Sequence, residues 1–352
     1  MVKSRLLPPI AFARRAVDSL SVFDLISVGD LRPKLGVWIS TEIVPLCPVT
    51  SQPAIRRVQT VTTRLLVDLW RIIFNTDARD SLAGIDRIGL WESPTGLYFF
   101  DPPLEGDHKF YTQFYERLKR RRLFSDETVR EEFLIASKFI PLGARVLDVG
   151  CGHGSFRQCV PQADYTGLDP NFATGAAIEG IRSETLAQHL IRHAASYDAV
   201  CCFQVIEHAR DPKALFAEIV QAAKPGGLIC VGVPQVPSAL TRIPNFLLNA
   251  PPHHLTWWSK AALSELAKNA GAVVESIEST PWGSGDSLIY WIERCSPIKC
   301  SDVHFRGALK WHAATLIGHV LGSLAFMLFG APRTTADEGA GLLMIARSPA
   351  AR

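Results

Sequence analysis

The chain lacks any Cys-x-x-Cys pair among its eight cysteines, and Cys295 with Cys300 has no second pair to complete a zinc site. A net charge of only +3 gives no footing for nucleic acid as a partner or for a strongly acidic surface. No uninterrupted apolar core follows the basic residues Lys3, Arg5, Arg14 and Arg15, so no secretory signal is expected. No internal repeat is apparent. Cys201, Cys202 and Cys230 fall inside apolar runs that read as buried strands, where a thiol behaves as a small hydrophobe. Reduced thiols in a cytoplasmic setting are the simplest reading.

What is present is a soluble composition, 47% apolar and 20% charged, over a length that can hold one large domain or two ordinary ones. Residues 1–55 are rich in proline and basic residues and show no sustained period, so they are left unassigned and disorder is expected there. Residues 56–140 read as an N-terminal extension of helix and hairpin. Val61, Leu65, Leu66, Leu69, Trp70, Ile72 and Ile73 keep mostly helical spacing. Ser93-Pro-Thr-Gly96 then turns between two short apolar runs. The basic run from Arg117 to Arg122 reads as a solvated helix face.

Residues 141–352 alternate strands with helices, the pattern of a parallel sheet wrapped by helices. Strands are expected at 145–149, 164–168, 199–203, 228–233, 273–277 and 342–346, with one further short strand between Leu168 and Ala199. An apolar helical insert is expected near 305–332. From Ala313 to Pro332 only Thr315, His319 and Ser323 break the apolar run, and Gly318 and Gly322 stand at small-xxx-small spacing. The length approaches that of a bilayer span. A crossing here would strand the last strand, Leu342–Ala346, on the far side of the membrane from its sheet. The segment is therefore read as a buried or membrane-skimming helix, with peripheral membrane contact through 313–332.

Four blocks carry chemistry. The first is Arg145-Val-Leu-Asp-Val-Gly-Cys-Gly-His-Gly154, a strand bearing Asp148 that runs into Gly150, Gly152 and Gly154. Glycines there allow a sharp turn and a close backbone approach to a ligand. The second is Tyr165-Thr-Gly-Leu-Asp169, about 20 residues on, where a carboxylate at a strand end can accept both hydroxyls of a ribose. The third runs from Tyr197 to His208 through Phe203-Gln-Val-Ile-Glu-His, then Asp211-Pro212 and Lys224-Pro-Gly-Gly227. The fourth is Asn249-Ala-Pro-Pro-His-His-Leu-Thr-Trp-Trp-Ser259, with Ser259 as the N-cap of a helix from Lys260 to Ala270. Its histidines follow the fifth strand, at the carboxyl edge where α/β sheets bind ligands.

In this order and spacing the blocks resemble the class I S-adenosylmethionine (SAM)-dependent methyltransferases, in particular the ubiquinone-O-methyltransferase-like group, over about Ala144 to Arg347. The resemblance implies an α/β fold: a Rossmann-like, seven-stranded, mostly parallel sheet with helices on both faces, beside the smaller N-terminal α+β extension. It implies SAM as cofactor. Asp148, Gly150, Gly152 and Gly154 would line its methionine and sugar, Asp169 would hold the ribose, and Pro170 would flank the adenine. Phe203 and Gln204 would lie beneath the methionine moiety. Gln204 stands where those enzymes carry a glutamate. The loss of that ligand argues against a metal held by Glu207 and His208, which read instead as a pair bracing their loop. His253 and His254 are the candidate catalytic residues, His253 in contact with the acceptor and His254 bracing. The acceptor is expected to be a small molecule or glycan hydroxyl. An NAD-dependent oxidoreductase would share the glycine loop and acidic strand end, but not the Lys-Pro-Gly-Gly turn or the Glu-His-x-x-Asp-Pro block. A catalytically silent methyltransferase-like binding protein is the other alternative.

Overall fold

Two sheets organise the protein: the glycine loop leaves a strand of the larger one, and the block carrying His253 and His254 leads into a strand of the smaller one. The computed structural model describes residues 43–120, 129–171, 178–283, 286–332 and 339–350. Most of the leader, and Arg121 and Arg122 of the basic run, lie outside the described residues. From Val44 to Arg352 the chain forms one compact unit.

In chain order the strands are β1 (Arg56–Thr62), β2 (Arg87–Glu92), β3 (Tyr98–Asp101), β4 (Arg145–Val149), β5 (Asp164–Leu168), β6 (Ile181–Arg182), β7 (Tyr197–Phe203), β8 (Ala223–Pro234), β9 (Thr256–Trp257), β10 (Val273–Thr280) and β11 (Gly341–Arg347). The helices are α1 (Thr63–Phe74), α2 (His108–Arg120), α3 (Glu131–Ala136), α4 (Leu186–His193), α5 (Pro212–Ala222), α6 (Ala239–Arg242), α7 (Lys260–Asn269), α8 (Ser287–Cys295) and α9 (Leu309–Phe329).

The larger sheet has seven strands in the order β10-β11-β8-β7-β4-β5-β6. Its core pairs run parallel, and β11 inserts antiparallel between β10 and β8. This is the expected seven-stranded, mostly parallel sheet, with the last strand returning between its neighbours. The short strand expected after Leu168 is β6. Alternation along the strands sorts two cores. Leu147, Val149, Val200, Cys202, Ile229 and Val231 face Phe216 and Ile219 of α5 and Leu263 of α7. Val146, Ala199, Cys201 and Cys230 face Phe133 of α3 and Phe156. A parallel strand buried on both faces needs this near-continuous apolar run. Within the leader, Leu46 bridges Pro53, and Cys47 and Val49 are buried in the first of these cores.

The helix starts follow local chemistry. Asp211 accepts from the Ala214 N–H with Pro212 at the first turn of α5, and Ser259 accepts from Ala262 at the start of α7. The smaller sheet has the order β1-β2-β3-β9. Its first strand is a correction to the helical spacing that starts at Val61: Arg56–Thr62 is extended and pairs with β2. Val58, Thr60, Val61 and Thr62 are β-branched, which suits a pleated edge, and the helix begins only after Thr62 caps it. The fourth strand comes from 256–257, far along the chain, so the aromatic block after β8 completes the N-terminal sheet. Trp70, Phe110 and Phe114 share a core with Leu247, Ala250 and Trp257.

Candidate functional site

The glycine loop leaves β4 at the carboxyl edge of the large sheet. Gly150, Gly152 and Gly154 have φ of 71°, 54° and 77°, the left-handed region in which a side chain is strained. Gly150 is also a close approach: a Cβ there would stand 2.3 Å from Val205 Cγ2. A Cβ on Gly152 would meet nothing within 4 Å, so this backbone faces open space, as a ligand cradle requires. The loop is fastened to the next strand by the N–H groups of Gly150 and Cys151, which donate to Leu168 O at 2.7 and 3.0 Å.

Asp169 lies at the end of β5 beside this loop. Its Oδ2 accepts from the Gly152 N–H at 3.0 Å, and its Oδ1 accepts from the Asn171 N–H at 2.8 Å. Each carboxylate oxygen keeps a lone pair for a further donor. Pro170 follows directly, and residues 172–177 lie outside the described residues. A single carboxylate thus joins the glycine loop to the end of β5.

Asp148 is buried one residue before the β4 terminus and accepts from the Tyr165 hydroxyl at 2.7 Å. Burial raises its carboxyl to about 7, with Asp169 adding repulsion, and these outweigh the Tyr165 hydrogen bond. The native state therefore holds this proton between pH 3.8 and about 7, where an unfolded aspartate has lost it. Native stability falls as pH rises through that window and stays level above it. Asp148→Asn removes this cost. The variant is expected to gain on the order of 2–4 kcal/mol at pH 8 relative to its effect at pH 4. Denaturant unfolding of the SAM-free protein at both pH values checks this, and a pH-independent difference would refute it.

Beyond β7, Phe203 packs between Phe133 and Phe156 at centroid distances of 5.0 and 4.9 Å. Gln204 takes a left-handed φ of 57°, and its side-chain amide donates to Glu132 Oε2 at 3.0 Å. Glu132, on α3, is a site residue that the motif reading did not reach. It is buried against Gly232, and that burial raises its carboxyl above the ordinary range. No spacing rule links it to Gln204, because 72 positions separate them.

Three histidines from two blocks meet beside this turn. His208, His253 and His254 have ring centroids between 4.5 and 4.7 Å apart. The His208 Nδ1–H donates to the His253 carbonyl at 2.6 Å. A carbonyl can only accept, so the neutral His208 ring carries its lone pair on Nε2. Burial lowers His208 to about 4 and drives His253 and His254 well below the ordinary imidazole range, so all three are neutral at pH 7. His253 packs edge-on against Phe114 at 4.9 Å and Trp70 at 6.3 Å, and little of its surface is exposed. The Trp70 indole N–H donates to Pro251 O at 2.9 Å, tying α1 to this loop.

Glu207 lies under the cluster, fully buried, with Oε1 4.0 Å from His254 Nε2. Neither Glu207 oxygen has a hydrogen-bond partner among the described residues, and the same holds for Nδ1 of His253 and of His254. Burial lifts the Glu207 carboxyl to about 8. The histidine ligand nitrogens lie within 4.8 Å of one another, a set that could hold a divalent cation. His208 was paired in sequence with Glu207 alone. The fold adds two imidazoles from 45 residues away.

Residues 116–277 match a family model described as a methyltransferase domain. The ubiquinone biosynthesis O-methyltransferases of Escherichia coli and Salmonella typhimurium are each 36% identical to the chain over 98 residues, 24% of its length. The chain spans about 40% of the length of these curated relatives. Among solved structures, a SAM-dependent methyltransferase from Thermotoga maritima aligns with a TM-score of 0.43 at 18% identity, covering 68% of this chain and 97% of that one. One from Archaeoglobus fulgidus aligns with a TM-score of 0.39 at 19% identity, over 66% and 99%.

Proposed function

We infer that this chain, which carries a class I SAM-dependent methyltransferase domain, moves a methyl group from SAM to a hydroxyl of a small molecule or glycan. The observation that carries the reading is the neutral histidine group one turn from the glycine loop, with Val205 touching Gly150 and His208 three residues further on. SAM supplies an electrophilic methyl group on a sulfonium, so the protein's tasks are alignment, exclusion of water and removal of one proton. Gly150, Gly152 and Gly154 would admit the methionine and sugar, Asp169 would accept from the ribose hydroxyls, and Pro170 would flank the base. Phe203 and Gln204 form the floor, Gln204 fixed in turn by Glu132.

His208 would take the acceptor's proton on Nε2, and bound SAM would supply the methyl group that the acceptor oxygen receives. His253 orients it through its carbonyl, and His254 lies between that ring and Glu207. The closed aromatic wall of Trp70, Phe114 and Tyr111 around His253 keeps the side of the cluster away from the acceptor dry.

Calorimetric titration with SAM, with NAD as a control, tests the cofactor half of this reading. Asp169→Ala removes a charged acceptor for the ribose, an interaction of about 1.5–3 kcal/mol, so its affinity for SAM is expected to drop about ten- to a hundredfold. Equal affinity in the variant, or binding of NAD in preference to SAM, would overturn it.

A further inference from the structure

Helix α9 has none of Asp, Glu, Lys or Arg between Trp311 and Pro332, and by length and composition it could cross a membrane. Its packing is the reverse of a core helix. Only Trp311, Ala314, Gly318 and Gly322 are buried, while Leu316, Val320, Leu324, Met327, Leu328 and Phe329 stand exposed, each by between 47% and 77%. The small residues face inward for a steric reason. A Cβ on Gly322 would lie 2.7 Å from Ile292 N, and one on Gly318 would lie 3.0 Å from Ile292 O, so α8 and α9 meet backbone to backbone. The large apolar side chains are thereby held outward on a fixed helix.

The path of the chain excludes a crossing. Thr315 Oγ1 donates to Pro244 O at 3.0 Å, and the Trp291 indole N–H donates to Gly330 O at 2.9 Å, pinning α9 to the domain along its length. Shortly after Phe329 the chain must be back at Gly341, because β11 lies between β8 and β10 inside the large sheet. At the N-terminal end of α9 a hollow of about 380 Å³ is lined by Arg306 and Lys310, by Lys299, which pairs with Glu293 at 3.4 Å, and by Asp302, whose carboxylate is held by Arg56 at 2.7 Å. The Arg306 guanidinium lies over the Trp311 ring at 5.5 Å.

We propose that α9 is a peripheral docking face for a bilayer carrying anionic lipid headgroups. Arg306 and Lys310 meet the headgroup phosphates, while the outward apolar side chains enter the acyl boundary with the helix lying along the surface. A protein partner would meet the apolar stripe but leave the cation cluster at its end unused. A lipid surface engages both.

The test is co-sedimentation of the full chain with vesicles of phosphatidylcholine alone or mixed with phosphatidylglycerol. Two variants, Val320→Glu with Leu324→Glu and Arg306→Glu with Lys310→Glu, probe the two halves, and melting temperature checks that each folds. The wild type is expected to bind the anionic vesicles. The apolar variant should lose that binding, and the basic variant should weaken it about tenfold or more, with added salt doing the same. Binding that neither variant changes would overturn the proposal. So would a wild type that ignores vesicles but sediments as a dimer that the apolar variant splits, since a second copy would then cover the face.

Discussion

His208→Ala is expected to lower methyl-transfer turnover by about 10²–10⁴ while leaving SAM affinity within about twofold, the signature of a lost general base. The size follows from the tautomer. Nδ1 of His208 is committed to the His253 carbonyl at 2.6 Å, and burial lowers the ring's pKa to about 4 against the opposing pull of the His253 and Gln204 carbonyls, so the imidazole is neutral and can accept a proton. A base with so low a pKa works by position and desolvation more than by intrinsic proton affinity, and the acceptor must bring an acidic hydroxyl or be aligned closely. Rates are compared with radiolabelled SAM on a panel of phenols and glycans, each with and without a chelator. Turnover that survives His208→Ala would remove the histidine from the chemistry. A wild type silenced by chelator would assign His208, His253 and His254 to a cation instead, since they present a cluster suited to one.

Gly150→Ala is expected to weaken SAM binding at least thirtyfold, by two effects that can be separated. A left-handed φ of 71° costs a non-glycine residue about 1–2 kcal/mol. The new methyl would also lie 2.3 Å from Val205 Cγ2, so the turn carrying Gln204, Glu207 and His208 must shift. Val205→Ala in the same chain removes the collision and leaves the strain, and should recover part of the lost affinity. Gly152→Ala is the informative contrast. Its Cβ meets no protein atom within 4 Å, so its stability loss should be confined to strain while SAM affinity still falls, because the methyl occupies the cradle. Titration of SAM into the four proteins decides it, and no rescue by Val205→Ala would show that the two loops are not mechanically joined.

Much of this protein was determined by sequence alone, and the reason is that local rules act over short spans. β4, β5 and β11 lie where apolar runs between turn residues put them. The left-handed glycines at 150, 152 and 154 are legible because no other residue occupies that conformation cheaply. Asp169 is legible from its spacing to that loop, and Ser259 and Asp211 as caps from the helices they open. Where the local signal was mixed, the reading failed: β1 runs straight into α1, and a period counted across both shows only the longer one.

What only the tertiary structure decided is everything that depends on contacts between distant residues. Glu132 reaches Gln204 across 72 positions, and Thr256–Trp257 completes a sheet begun at Arg56. His253, which the sequence places against the acceptor, and His254, which it reads as bracing, converge with a histidine 45 residues before His253 and with a buried glutamate whose oxygens have no partner among the described residues. The apolar stretch after Ala313 was visible as composition, but which of its faces points outward was set by two glycines packing on Ile292. Sequence spacing carries the geometry of one turn or one strand. The distances between turns are fixed only when the burial of several cores at once leaves one arrangement of the elements.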